Sequence, residues 1–176
     1  MNSELTPQRV GAFGERSVEA ELLRRGWIPA NVNPTVKNAA DYDIFAYKDP
    51  IEVHIRVKTC GPHQPGFQFG GFKGEIETSG IRKNDFTVLV RMGSVDRSGD
   101  QFYIVPTIVV RKQLKKHRGH YLQTPKRDGQ PRKDLGHWTM HLAELRNGEV
   151  RPSHGLEQRW LQYLGNWKIL EQVSSN

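Results

Sequence analysis

Cysteine is nearly missing from this chain, with Cys60 the single one among 176 residues. That excludes an intrachain disulfide and any zinc site built from cysteines alone. Long hydrophobic runs are missing too. No stretch approaches the roughly 20 apolar residues that a membrane helix needs, and the mean hydropathy is −0.67. Residues 1–17, MNSELTPQRVGAFGERS, hold no apolar core of the kind found in secretory leaders, so export is not expected. There is no internal repeat, low-complexity tract or composition break that would divide the chain. These absences describe one domain in a cytoplasmic, reducing setting with no membrane partner, where Cys60 serves as a small strand-end residue rather than a reactive thiol.

Acid is almost absent from one segment. Arg111, Lys112, Lys115, Lys116, Arg118, Lys126, Arg127, Arg132 and Lys133 are opposed there by Asp128 alone. That local excess of eight exceeds the +7 of the whole chain. A solvated surface ordinarily mixes both signs, so the segment is expected to meet a polyanion, with nucleic acid the first candidate.

Thr6 and Pro7 form a helix start, and Val10, Phe13, Val18, Leu22 and Leu23 continue at helical spacing to a stop near Gly26. Gly11 and Gly14 inside this helix each weaken it by about 1 kcal/mol relative to alanine, which implies that another element approaches closely. WIPANVN, DIFAY and IEVHIRVKT read as strands, the last two joined by a turn at KDP. Residues 61–78 read as a loop or irregular hairpin, SGIRKND as a short helix, and FTVLVRM and QFYIVP as strands. TIVVRKQLKKHRG reads as a basic amphipathic helix with Ile108 and Leu114 inward. A basic loop over 119–136, the ambiguous HWTMHLAEL, and a helix near LEQRWLQYLGNW complete the chain. The order predicts a single α/β domain with a mixed central β-sheet flanked by helices. Its core is expected over about 7–118, with the basic loop and a C-terminal helical extension over about 119–176.

The third strand carries the pattern of most interest. Ile51, Val53, Ile55 and Val57 share one face, and Glu52, His54, Arg56 and Lys58 share the other. Hydrolysis of a phosphodiester requires charge neutralised on the phosphoryl oxygens and a water activated for attack. A divalent cation on carboxylates does both, and a lysine can orient the water or stabilise developing charge. Asp43, immediately before IFAY, and Lys58 on the hairpin partner form such a pair, with Glu15 on the preceding helix as a further carboxylate.

GERSVEAELLRRGW, DYDIFAY, IRVKT and NDFTVLV, followed by QFYIVP, resemble in their order the PD-(D/E)xK nuclease superfamily. This restriction-endonuclease-like fold is shared by many restriction enzymes and Holliday-junction resolvases. The resemblance covers residues 7–110 or so. It implies a metal-dependent endonuclease acting on DNA in preference to RNA, with Glu15, Asp43 and Lys58 lining the site and Mg²⁺ or Mn²⁺ held by Asp43 and Glu15. Arg56 departs from the pattern, because that position usually holds Glu or Gln. A guanidinium cannot ligate a metal and would repel one. Either a relocated acid, Glu15 or Glu52, completes the site, or the fold retains a nucleic-acid groove without cleavage and Arg56 contacts phosphate. A structural or protein-interaction domain is the third reading, and a homodimer remains open.

Other chemistry-bearing residues have plainer expectations. Asp41 lies close enough to Asp43 to be a second acid, while Glu52 is also a cross-strand partner for Lys48. His54 is expected to be structural or solvated. His117 with His120, and His137 with His141, have no supporting cysteines for zinc. Phe67, Phe69 and Phe72 are expected to pack beneath their loop, with base stacking the alternative. Trp160, Tyr163 and Trp167 are expected to form one aromatic face, against the body or a second copy.

Overall fold

The computed structural model describes residues 6–32, 42–62, 64, 66–71, 76–93, 99–140, 144–146, 149–151 and 160–173. Helix α1 spans Pro7–Arg24, and the Arg9 N–H donates to Thr6 Oγ1 at 3.4 Å, so the cap acts as expected. Strands follow at Ile28–Asn31 (β1), Ile44–Lys48 (β2), Ile51–Cys60 (β3), Phe67–Gly70 (β4), Asp85–Arg91 (β5) and Gln101–Pro106 (β6). Helix α2 covers Thr107–Gln123, and β7 covers His137–Met140. A small hairpin pairs Glu144–Arg146 (β8) with Glu149–Arg151 (β9), and a 3₁₀ helix covers Trp167–Gln172.

β1, β2, β3, β5 and β6 lie in that order in one sheet. The β3–β5 pair is parallel and the other pairs are antiparallel, which makes the single mixed α/β domain that the sequence predicts. Val53, Ile55 and Val57 pack with Val18, Leu22 and Trp27 beneath α1. On the α2 side, Cys60, Leu89 and Val105 pack with Val110, Leu114 and the aromatics of β4 and β7. Each fully buried Val, Leu or Ile contributes roughly 1.5–3 kcal/mol. Among the described residues, no helix is long and apolar enough to cross a membrane.

Several elements differ from the sequence reading. The helix α1 stripe is Val10, Gly14, Val18 and Leu22, whereas Phe13 and Leu23 face outward. Val110 replaces Ile108 as the buried partner of Leu114, and α2 runs on into the expected loop. SGIRKND forms turns, and HWTM is a strand paired with FQFG. Phe67 and Phe69 are buried there, and Phe72 lies outside the described residues.

The C-terminal aromatics do not form one face. Helix geometry stops at Leu161, turns follow at Gln162 and Tyr163, and Gly165, at φ 64°, adopts a left-handed conformation that no helix continues through. Trp160 and Tyr163 pack on the α2 side, while Trp167 packs on the α1 side against Phe102, with ring centroids 5.6 Å apart. Between them the chain crosses the β6 edge. Ile104 N–H donates to Tyr163 O at 3.0 Å, and Gly165 N–H donates to Phe102 O at 2.8 Å. An otherwise open strand edge is thereby covered. Trp138, Met140 and Trp160 therefore belong to one core, and Trp167 and Leu170 to the other.

Candidate nucleic-acid-processing site

Asp43 stands where β2 begins, and its position follows from a mismatch in strand length. β3 continues to Cys60 after its antiparallel partner β2 has ended at Ile44. Asp43 N–H donates to Ile55 O at 2.8 Å, and Asp43 Oδ2 accepts from Val57 N–H at 2.7 Å. The carboxylate thus substitutes for the missing ladder carbonyl and is held against β3. β1 adds the next constraint. Asn31 is paired in register with Ile44, and its Nδ2 donates to Glu15 Oε2 at 3.1 Å.

Helix α1 can approach because residue 14 is glycine. A Cβ placed there would lie 1.8 Å from Thr59 Oγ1 and 2.9 Å from Thr59 Cβ. Gly11 has nothing within 4 Å of the equivalent point, so only one of the two glycines answers the expectation of close approach. Gly14 thereby sets Glu15 beside the end of β3.

Lys58 completes the group. Burial lowers its pKa first, the Arg56 charge lowers it further, and Arg111 adds to the fall; Asp43 and Glu15 oppose it. All four charges therefore act on one ammonium group. Lys58 Nζ also lies 5.9 Å from the centroid of the Phe69 ring. Three elements, α1, the start of β2 and the end of β3, converge on this point.

Glu52 does not join them. It is exposed, and its register partner is Tyr47 rather than Lys48, which instead pairs with Glu171 at 2.6 Å. Six residues of strand separate Glu52 from Lys58, about 20 Å at the rise of an extended chain. Asp41 lies outside the described residues.

Among the described residues, no three His, Cys, Asp or Glu side chains gather into a metal-holding group. Asp43 and Glu15 are the two carboxylates that bear on Lys58. That donor set suits Mg²⁺, which keeps several waters and uses one or two carboxylates together with substrate phosphates. It does not suit a closed structural zinc site.

The basic segment divides by role. Arg111, on the first turns of α2, reaches the polar face of β3 and lines a cleft with Arg56 and Lys58. Lys112 and Lys116 border a groove with Trp160 and Tyr163. Arg118 is bound to Asp134, its Nε donating to Oδ2 at 2.9 Å, and the guanidinium holds that carboxyl below its usual range. Asp134 falls one residue beyond the acid-poor segment, so charge counting missed this pair. Arg132 stacks over Tyr121 at 4.8 Å and donates to Thr124 O. Lys115 lies on α2, and Lys126 and Arg127 lie exposed in the turn that follows it.

His54 takes the structural of its two expected places rather than the solvated one. It is 6% exposed, its Nδ1 lies 3.0 Å from Asp85 Oδ1, and its ring lies 4.7 Å from that of Tyr42. The available signal was register. A parallel partner strand beginning at Asp85 sets that residue opposite His54.

The chain is similar in structure to a bacterial homing endonuclease, I-Ssp6803I, with a TM-score of 0.53 over 94% of both chains and 16% sequence identity. At that identity the likeness is one of fold. MepB is a more distant structural match, with a TM-score of 0.39 and 9% identity over 83% of this chain and 95% of its own. No family model and no curated protein matches the sequence.

Proposed function

We propose that the protein is a metal-dependent phosphodiesterase that cuts DNA, with Asp43, Glu15 and Lys58 as its site. The carrying observation is that Asp43, bonded to Val57 N–H of β3, and Glu15, held by Asn31 of β1, both bear on the partly buried Lys58 near the end of β3. The shared fold with a homing endonuclease supports the reading. Asp43 and Glu15 would hold Mg²⁺ or Mn²⁺, which when bound neutralises phosphoryl charge and acidifies water. Asp43 is pre-positioned for this by its bond to Val57 N–H. Lys58, with its pKa lowered by burial, exchanges a proton more readily than a surface lysine and can position the attacking water. Arg56 and Arg111 bring guanidinium charge to the phosphate that flanks the site. The exposed basic residues Lys112, Lys115, Lys116, Lys126 and Arg127 would follow the backbone beyond it.

Purified protein with Mg²⁺ or Mn²⁺ should nick or cut duplex DNA, and Asp43→Ala should reduce the rate by about 100-fold or more. Lys58→Ala should do the same. Cutting that survives both substitutions contradicts the assignment.

Arg56 favours a second reading, a non-cleaving DNA-binding domain. Among the described residues this guanidinium makes no ion pair, so phosphate is its natural partner. On that reading Arg56→Gln weakens DNA binding and no metal-dependent cutting is seen. On the leading reading Arg56→Gln also weakens DNA binding, but metal-dependent cutting persists at saturating DNA.

A further inference from the structure

A second cleft lies beside the candidate site, on the same face of the sheet. It measures about 370 Å³ and is lined by Tyr42, His54, Arg56, Arg82, Asp85 and Arg111, among others. Arg56 and Arg111 also line the cleft at Lys58, so the two spaces share a wall. At the rise of an extended strand, Arg56 and His54 lie about 7 and 13 Å along β3 from Lys58.

The two acids of this cleft are already bonded. Asp85 Oδ1 meets His54 Nδ1 at 3.0 Å, and Asp85 Oδ2 accepts from Arg82 N–H at 2.7 Å. One carboxylate therefore fixes both the imidazole and the turn that carries Arg82. The other acid at the wall, Glu77, accepts from Ser79 Oγ at 3.0 Å. Three guanidiniums line the space, and among the described residues neither Arg56 nor Arg82 forms an ion pair. Arg56 and Arg82 thus bring two guanidiniums without an ion pair to one cleft, an arrangement that an anion between them stabilises. Tyr42 stacked on His54 supplies an aromatic wall at the same cleft. The volume lies in the range of small-ligand pockets, about 300–1,000 Å³.

From these features we infer that the cleft is a nucleotide subsite. It takes one nucleotide of a DNA strand, with the phosphate against Arg56, Arg82 and Arg111 and the base against Tyr42, which His54 backs. Asp85 is a positioning residue for it. The proposal rests on the nucleic-acid reading above, and it adds a place that grips the strand beside the point of cleavage.

The test is calorimetric titration of the full chain with deoxyadenosine 5′-monophosphate, deoxyadenosine and inorganic phosphate. The monophosphate should bind, phosphate should bind more weakly and compete, and the nucleoside should give no signal. Arg82→Glu changes an exposed side chain, so the fold should persist; it should weaken monophosphate binding about tenfold or more. Tyr42→Ala should weaken monophosphate binding while leaving inorganic phosphate unchanged. Asp43→Ala should bind the monophosphate at least as tightly as wild type. Binding with no DNA cutting by wild type keeps the subsite and sinks the nuclease reading. Monophosphate binding that is indifferent to both Arg82→Glu and Tyr42→Ala overturns the subsite, whatever the protein cuts.

Discussion

The two faces of β3 differ more than their shared backbone would suggest. On the α1 face, Val53, Ile55 and Val57 are sealed in the larger apolar cluster. On the α2 face, His54 is buried and Arg56 and Lys58 are half-buried, with two clefts opening over them. Burying charge is unfavourable unless it is paired or put to use. The first face follows from the hydrophobic effect alone. The second retains charges that stability alone would not select.

The contrast can be broken most severely on the apolar side. Ile55→Ala should destabilise the fold by about 2–5 kcal/mol through lost burial and a residual cavity, read by urea unfolding. Gly14→Ala comes next. Its Cβ would collide with Thr59 and push α1 away, which should remove about 1–3 kcal/mol and displace Glu15 from the site. Gly11→Ala, three residues earlier and with open space around it, should instead stabilise by about 0.4–1 kcal/mol.

On the polar side the expected effect is smaller and opposite in sign. Lys58→Met should raise the melting temperature at neutral pH while abolishing cutting. Burial and Arg56 lower the pKa of Lys58 in the folded state, so charging it opposes folding at any pH below that lowered value. As pH rises through the lowered pKa, the folded form releases its proton before the unfolded form, and wild-type stability climbs. The advantage of methionine should therefore shrink with rising pH and vanish above the ordinary lysine pKa. The least change is expected at Cys60, whose thiol burial pushes up to about 11. It should resist alkylation at neutral pH until the chain is unfolded.

Much of this architecture was legible from residue order. The Thr6–Pro7 helix start, the alternation of IEVHIRVKT and the apolar run FTVLVRM each carry a local signal that tertiary packing did not override. Asp43 and Lys58 could be paired because a short turn makes their strands neighbours. What was not legible depended on distant contacts. That Glu15 lies near Lys58 while Glu52 stays at the exposed far end of β3 depends on α1 settling on Thr59 through Gly14. Trp160 and Trp167 read as one helical face because Gly165 gives no hint in sequence of its left-handed turn at a sheet edge. The His54–Asp85 pair required the parallel register of β3 and β5, which no local pattern reveals.

The central claim is that the polar face of β3 ends in a metal-using site at Asp43. The most direct test is a Mg²⁺ or Mn²⁺ titration of wild type and Asp43→Asn, with heat of binding and cleavage of a duplex DNA followed in the same samples. Wild type should bind the ion and cut in parallel with its occupancy, while Asp43→Asn should lose both and keep its DNA affinity. Equal ion binding by the two proteins, or cutting that persists in Asp43→Asn, would contradict it.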